Sequence, residues 1–484
     1  MNQNDRDDTG ASFDPQRRRV LTGLAAATAG ATGLVSPLDL RASLQPRLPD
    51  PTASGIDHIV VVMMENRSFD HVLGWLPGAD GIQQGLNFTD AAGNSYPTFP
   101  LAQNPAYGYQ GCGWADPDHS YGAGRQDYNN GAMDGFLLPQ PVGDQFPIGY
   151  YTREDVPFFS GCADHWTICD HYFTGILSCT LPNRVYMHCG QTDRKTNSLT
   201  FSQLPTIWDS LIANDVPCRY YYADTPVIAL WGSKYFKQFP IAHSIRQFVR
   251  DFGHNGTPPA VSYLDPYMGL AIGEALGTSW DDHAFADIRN GQAFLNYVYN
   301  VLRHSPAWER TLLIVNYDEW GGFYDHVPPP LAPVSDAEVA ATGNDGRLGC
   351  RVPCIAIGPR ARRGHVEKTQ FDPNSILNMI AWRFGFEPLG VRGATSANFA
   401  TALDFHAPLR RMTPAFDVPA GPFPGAWPFT PPRGGTLNQS AFGGACAAAA
   451  GTAERAEIER RLELHYADIR WLQAVGRDMG AEID

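Results

Sequence analysis

A hydroxyl, a carboxamide and a guanidinium stand within five positions at Thr180-Leu181-Pro182-Asn183-Arg184, and two acidic pairs, Glu65-Asn66 and Asp318-Glu319, lie far from them in the chain. A hydroxyl of high pKa attacks usefully only when a cation or a base takes its proton. Three carboxylates and a carboxamide are hard oxygen donors, suited to a single divalent cation of the Mg, Mn, Ca or Zn kind. Together these groups match the needs of phosphate-ester hydrolysis: an in-line nucleophile, a cation on the developing charge and a donor for the leaving oxygen. Each motif alone has a plainer reading. The Thr180 stretch also reads as a helix start, with Pro182 in the first turn and a threonine cap before it. Glu65-Asn66 suits a helix amino terminus, and Asp318-Glu319 a solvated turn. What favours the chemistry is that both acidic pairs follow apolar runs, with Thr180 between them.

The elements that must position these groups are visible as hydrophobic runs. Ile56 to Met64 and Thr311 to Asn316 read as buried strands, each ending in its acidic cluster. In open α/β sheets, ligands bind at that carboxyl edge. Further strands are expected at Cys218–Tyr222, at Val261–Leu264 running into Asp265-Pro266, and at Val352–Gly358. Helices are expected over Thr206–Ala213, Ala284–His304 and, capped by Asp372 with Pro373 in the first turn, through Phe384. The alternation predicts an α/β fold. Residues 77 to 155 form a long excursion rich in Gly, Asn, Asp, Tyr and Pro, with Asp116-Pro117-Asp118-His119 inside it. The catalytic domain is expected over 50–400. Over 401–484 a Pro-rich arm and an amphipathic helix, Ala453–Val475 with Ile458, Leu462, Ile469 and Leu472 on one face, pack on the same domain.

Composition narrows the function classes. The 484 residues carry 43% hydrophobic and 18% charged side chains and a net charge of −14, which describes an ordered globular protein without a broad positive field for nucleic acid. No nucleic-acid motif or internal repeat is present. At the amino terminus, Gln16-Arg17-Arg18-Arg19 precedes an apolar run from Leu21 to Val35, predicting a twin-arginine export signal over 1–45 and a periplasmic or secreted location. That run is short of the about 20 apolar residues of a spanning helix. Nine cysteines suit export; Cys350 and Cys354 are near enough in sequence for a local disulfide, and the odd total leaves at least one unpaired.

Three blocks, Ile56-Asp57-His58 through Met64-Glu65-Asn66-Arg67-Ser68-Phe69-Asp70-His71, then Thr180-Leu181-Pro182-Asn183-Arg184, then Tyr317-Asp318-Glu319-Trp320-Gly321-Gly322-Phe323-Tyr324-Asp325-His326-Val327-Pro328-Pro329, resemble the bacterial phospholipase C and acid phosphatase family of phosphoesterases. The resemblance spans about residues 55 to 390 and implies an alkaline-phosphatase-like fold, α/β with a doubly wound, mostly parallel sheet. It implies Glu65, Asn66, Asp318 and Glu319 as ligands of one divalent metal, with Thr180 as a further ligand and as the nucleophile that becomes phosphothreonine. Asn183 and the backbone N–H after Thr180 would donate to phosphoryl oxygens, and His119, His283 and His326 would line the phosphate pocket, one of them protonating the leaving alkoxide. Two features depart from the pattern: the carboxyl-terminal β domains of larger members are lacking, and Cys179 and Trp320 stand where the family often has Pro and Asn. Trp320 is either an aromatic wall for a choline-type cation or a core residue. The expected protein is an exported metal-dependent phosphoesterase acting on a phospholipid, with transient membrane-surface contact, or on a small phosphomonoester. The alternative is a catalytically silent exported protein that binds metal or phosphate.

Overall fold

Six consecutive buried apolar residues, Ile59 to Met64, make the middle of the sheet, flanked on both sides by strands running in the same direction. The computed structural model describes residues 48–103, 108–109, 116–269, 279–284, 286–421 and 470–482, which belong to the unit Leu48–Asp484. The expected export signal and most of the expected C-terminal helix lie outside the described residues. In chain order the sheet's strands are β1 (His58–Met64), β2 (Thr167–Cys169), β3 (Cys218–Tyr222), β4 (Ala242–Ser244), β5 (Val261–Asp265), β6 (Thr311–Tyr317), β7 (Cys354–Ile357) and β8 (His365–Glu367), arranged β8-β2-β7-β6-β1-β5-β3-β4. Pairing is parallel except where β7 meets β6 and β2. Strands covered on both faces must be apolar throughout, which is why β1 and β6 read as unbroken runs. Met64 is level with Tyr317, and Val62 with Leu264, so three strand ends deliver Glu65, Asp318 and Asp265 side by side.

The helices are α1 (Phe69–Leu73), α2 (Tyr121–Tyr128), α3 (Pro157–His165), α4 (Thr180–Cys189), α5 (Ile207–Ala213), α6 (Ile245–Phe252), α7 (Ile288–Arg303), α8 (Asp336–Thr342) and α9 (Pro373–Phe384). Reciprocal caps start α5 at Thr206 and α9 at Asp372, as their sequences suggest. By contrast, α7 begins four residues later than expected, because the Asp287 carboxylate accepts from the Arg289 N–H and caps the helix there. The excursion over 77–155 holds α2 and two small ladders, and its Phe88, Met133, Phe136, Leu137, Ile148 and Tyr150 form a second apolar cluster with Leu177 and Trp320. This insertion therefore forms a wall beside the stretch that leads to Thr180.

Among the described residues no helix is long and apolar enough to cross a membrane. The arm beyond residue 404 runs along α7: Tyr299 Oη donates to the Pro414 carbonyl (2.7 Å) and the Phe416 ring stacks on Tyr299. In the terminal helical segment 470–479, Leu472 and Gln473 are buried, and Gln473 Nε2 donates to Asp224 Oδ2 (3.2 Å) and Thr225 Oγ1 (3.1 Å). Burial lifts Asp224 to about 7 in spite of the Met268 N–H that it accepts. A carboxyl whose folded pKa is raised contributes its stability at low pH and loses it as pH climbs from the unfolded value, about 4, through 7. Asp224→Asn should therefore raise Tm at pH 8 by about 2–4 °C and leave it unchanged at pH 4, which thermal scans at the two pH values check.

Candidate active site

The chain enters α4 without the cap that its sequence suggests. Cys179 is the N-cap residue and makes no capping bond, so Thr180 is already helical. The Leu181 N–H is taken by Asn197 Oδ1 (2.9 Å). Asn183 Oδ1 accepts from the Ile176 N–H (3.0 Å), and its Nδ2 donates to the carbonyls of Ser178 (2.7 Å) and Cys179 (3.1 Å). With both amide hydrogens spent, Asn183 shapes the turn instead of facing a phosphoryl oxygen, and the Leu181 N–H is likewise committed. Both expected donors are engaged within the turn in this geometry. Thr180 is left over: only 5% exposed, its Oγ1 has no hydrogen-bond partner.

One helical turn on, and hence on the same face as Thr180, the fully buried Arg184 reaches three strand ends at once. Its Nη2 donates to Glu65 Oε1 (3.0 Å), its Nη1 to Asp265 Oδ1 (3.1 Å) and its Nε to Asp318 Oδ2 (2.9 Å). Burial works against the guanidinium's charge, but Asp318, Asp265 and Glu65 override it and hold the group above its usual range. The loops after β1 and β6 lock together. Asp318 Oδ1 accepts from the backbone of Asn66 (3.3 Å) and Glu319 (2.8 Å), and Glu319 Oε2 from the Gly321 N–H (2.6 Å). Asn66 is left-handed, with φ of 59°, as is Gly321 at 63°; a Cβ on Gly321 would lie 2.5 Å from the Asn66 carbonyl, so only glycine fits. Such departures cluster where a site constrains the backbone.

Three carboxylates, Glu65, Asp265 and Asp318, thus share one guanidinium, with Glu319 next to Asp318 in the chain. Burial pushes Asp318 up to about 8 even with Arg184 beside it, and burial together with the Asp318 charge drives Glu319 well above the carboxylate range. Glu65 Oε2, both polar side-chain atoms of Asn66 and Thr180 Oγ1 are buried without partners. Orphaned oxygens among carboxylates pressed toward neutrality are what a hard divalent cation satisfies, so the residues present fit such a group. Glu65, Asn66, Thr180, Asp318 and Glu319 are the residues that offer it oxygens.

Another acidic cluster is tighter. Asp70, Asp325 and His326 bring ligand atoms within 4.8 Å of one another, a closeness that Glu65, Asp318 and Glu319 do not reach. It too holds a fully buried guanidinium, Arg351, which donates to Asp325 Oδ1 (2.9 Å) and Asp70 Oδ1 (3.2 Å), but unlike the Glu65 cluster it leaves no side-chain oxygen or nitrogen of its three residues buried without a partner. The structure places His326, expected in the phosphate pocket, in this second cluster. Its Nδ1 bonds Asp70 Oδ2 (2.5 Å) and its Nε2 Asp80 Oδ1 (3.1 Å), leaving no ring nitrogen for a leaving group. His119 does border the site, with Nδ1 on the Pro117 carbonyl (2.6 Å), Nε2 3.2 Å from Glu319 Oε1 and its ring edge-on to Trp320. His283 is buried, its Nε2 3.8 Å from Asp116 Oδ2, and its segment is tied to β1 by the Glu65 N–H bonding the Asp281 carbonyl (2.8 Å).

Trp320 is a core residue: it is fully buried and its Nε1 donates to Asp127 Oδ2 (3.0 Å), so it forms no wall for a choline-type cation. Cys350 and Cys354 are both free; Cys354 faces Cys169 across β7 and β2, while Cys350 belongs to the second apolar cluster. Sequence reasoning missed Asp265, whose signal was the same one used for its neighbours, an apolar run closing on a carboxylate. Arg184 was noted in the motif but given no role.

A buried, unengaged hydroxyl at a helix start, one turn before a guanidinium clamped to carboxylates on three parallel strand ends, suits a hydrolase of phosphoric esters. The chain belongs to the phosphoesterase family, whose model matches residues 56–387. Phospholipase C B of Mycobacterium tuberculosis (strain H37Rv) is 30% identical over 425 residues, 75% of this chain and 80% of that protein. Non-specific phospholipase C6 of Arabidopsis thaliana is 29% identical over 391 residues, 72% of this chain and 70% of that one. Hemolytic phospholipase C of Pseudomonas aeruginosa is 26% identical over 460 residues, 79% and 60% of the two chains. Among solved structures, a protein of the alkaline phosphatase superfamily from Vibrio parahaemolyticus matches with a TM-score of 0.33 at 9% identity, over 78% of this chain and 76% of that one, too distant to bear on the site.

Proposed function

We propose that the protein is an exported, metal-dependent phosphoesterase of the phospholipase C or acid phosphatase type, working through a phosphothreonine at Thr180. The observation that carries this reading is Thr180 Oγ1, buried and without a partner, one helical turn before a guanidinium clamped to Glu65, Asp265 and Asp318. A divalent cation held by Glu65, Asn66, Asp318, Glu319 and Thr180 would supply Lewis acidity, easing ionisation of the hydroxyl and offsetting charge on the phosphoryl group. Thr180 Oγ1, its proton released to water, attacks phosphorus in line with the ester oxygen. As the Oγ1–P bond forms and the ester O–P bond breaks, the leaving alkoxide takes a proton from His119 Nε2. The Pro117 carbonyl fixes the His119 Nδ1–H, and Nε2 lies 3.2 Å from Glu319 Oε1, at the edge of the site. Water then attacks phosphorus, giving one proton back to His119; as the new O–P bond forms the Oγ1–P bond breaks, and Thr180 Oγ1 regains from solvent the proton it released, while His283 donates to a non-bridging oxygen. Arg184 and Asn183 hold the first turn of α4 in place throughout.

The relatives named phospholipase C favour a phospholipid over a small monoester, and a phospholipid requires transient contact with a membrane surface. Gln16 to Val35 supports export by the twin-arginine machinery, so Arg17→Lys together with Arg18→Lys should retain the protein in the cytoplasm on fractionation. Turnover of p-nitrophenyl phosphate against p-nitrophenylphosphorylcholine, with and without chelator, tests the chemistry. The choline ester should be the better substrate. Chelation followed by dialysis should lower turnover at least about 100-fold, with recovery on adding a divalent cation. Full turnover after chelation would remove the metal from the mechanism, and turnover of neither ester nor phospholipid vesicles would leave a binding protein.

A further inference from the structure

Asp282 is strained in a way that the fold alone does not require. Its φ of 72° places a fully buried, non-glycine residue in the left-handed region, directly before His283. Three neighbours hold it there. Tyr317, the last residue of β6, donates from its Oη to Asp282 Oδ2 (2.6 Å). Asp282 Oδ1 lies against α7 at Gly291, where an added Cβ would come within 1.9 Å of it. From the other side Arg67, fully buried, donates from Nε to the Asp282 carbonyl (2.7 Å) and from Nη2 to the His283 carbonyl (3.2 Å). The rest of that guanidinium is satisfied by His71 Nε2 (2.9 Å) and by the face of Phe323. A buried cation directed at two consecutive peptide carbonyls fixes the path of the chain between them.

We propose that Arg67 and Asp282 are positioning residues that set the His283 imidazole against the Thr180 site, with Tyr317 and the open face of α7 at Gly291 holding Asp282 in its left-handed state. This role rests on the proposed function, in which His283 donates to a phosphoryl oxygen. Nothing in it touches substrate directly; it acts through the two residues that join β1 to the loop entering α7. A bulkier residue at 291, on α7, should therefore disturb His283 through Asp282.

Two measurements keep the brace separate from the reaction. The first is modification by diethylpyrocarbonate read by peptide mass spectrometry, which needs no turnover. His283, 1% exposed, should be protected in the wild type, as should the core residue His188, while the exposed His304 reacts. Arg67→Met and Gly291→Ala should each raise the His283 rate at least about tenfold with His188 still protected. Asp282→Asn, which tolerates the left-handed backbone and keeps an oxygen for Tyr317, should leave His283 protected. The second is turnover of p-nitrophenyl phosphate. Gly291→Ala should lower kcat about tenfold or more, with Tm down by about 1–4 °C, since the added Cβ must displace buried Asp282. His283 equally protected in Arg67→Met and Gly291→Ala, or exposed together with His188, would overturn the brace, as would a wild-type His283 as reactive as His304. Altered His283 reactivity in a protein that hydrolyses no ester would instead retain the brace and overturn the reaction.

Discussion

Thr180→Ala should lower kcat for every ester by about 10⁴-fold or more, while Tm stays within about 2 °C of the wild type. The separation of the two effects follows from the geometry. Thr180 Oγ1 has no hydrogen-bond partner, so its loss removes a group that the fold does not use. The bonds that build the turn belong to Asn183 and Asn197 and are untouched. Thr180→Ser keeps a hydroxyl on the same face of α4 and should keep measurable turnover. Acid-quenched wild-type reactions should carry phosphate on the peptide that contains residue 180, and Thr180→Ala should carry none. Turnover near the wild-type rate in the alanine variant would sink the covalent route, whatever the metal dependence.

What could be read from the sequence, and what could not, divides along physical lines. β1 and β6 were legible because a parallel strand buried on both faces has to be apolar throughout, and the polar residues that follow it have to lie at the sheet's edge. Residue type at an edge does not give direction. Asn183 has a donor suited to a phosphoryl oxygen, but the bend from Ile176 to Cys179 presents three backbone groups that consume its amide. His326 stands seven residues after Glu319 of the Asp318-Glu319 edge pair, like a pocket residue, and is claimed by Asp70, 256 positions earlier. Arg184 shows the limit most clearly: its partners are 81, 119 and 134 positions away, on three strands whose order in the sheet the sequence does not state.

Arg184→Met should destabilise the protein by about 3–5 kcal/mol, because it leaves Glu65, Asp265 and Asp318 buried without their shared cation. Methionine fills similar space, so lost packing contributes little and the cost is electrostatic. That cost should depend on the cation proposed for the site. A divalent ion binding the folded state at a hundred times its Kd adds about 2.7 kcal/mol, and with the guanidinium gone it meets more unsatisfied oxygens than in the wild type. The variant should therefore melt well below the wild type in chelator and close much of the gap when a divalent cation is added. Arg184→Lys restores the charge but not the fork that spans three carboxylates, so it should fall between the two. Denaturant melts of the three proteins, with and without cation, measure this directly. A methionine variant as stable as the wild type in chelator would mean that the three carboxylates do not depend on Arg184. Even where cation rescues stability, turnover should stay low: Thr180 lies one turn before residue 184, and without the clamp nothing ties that turn of α4 to the three strand ends.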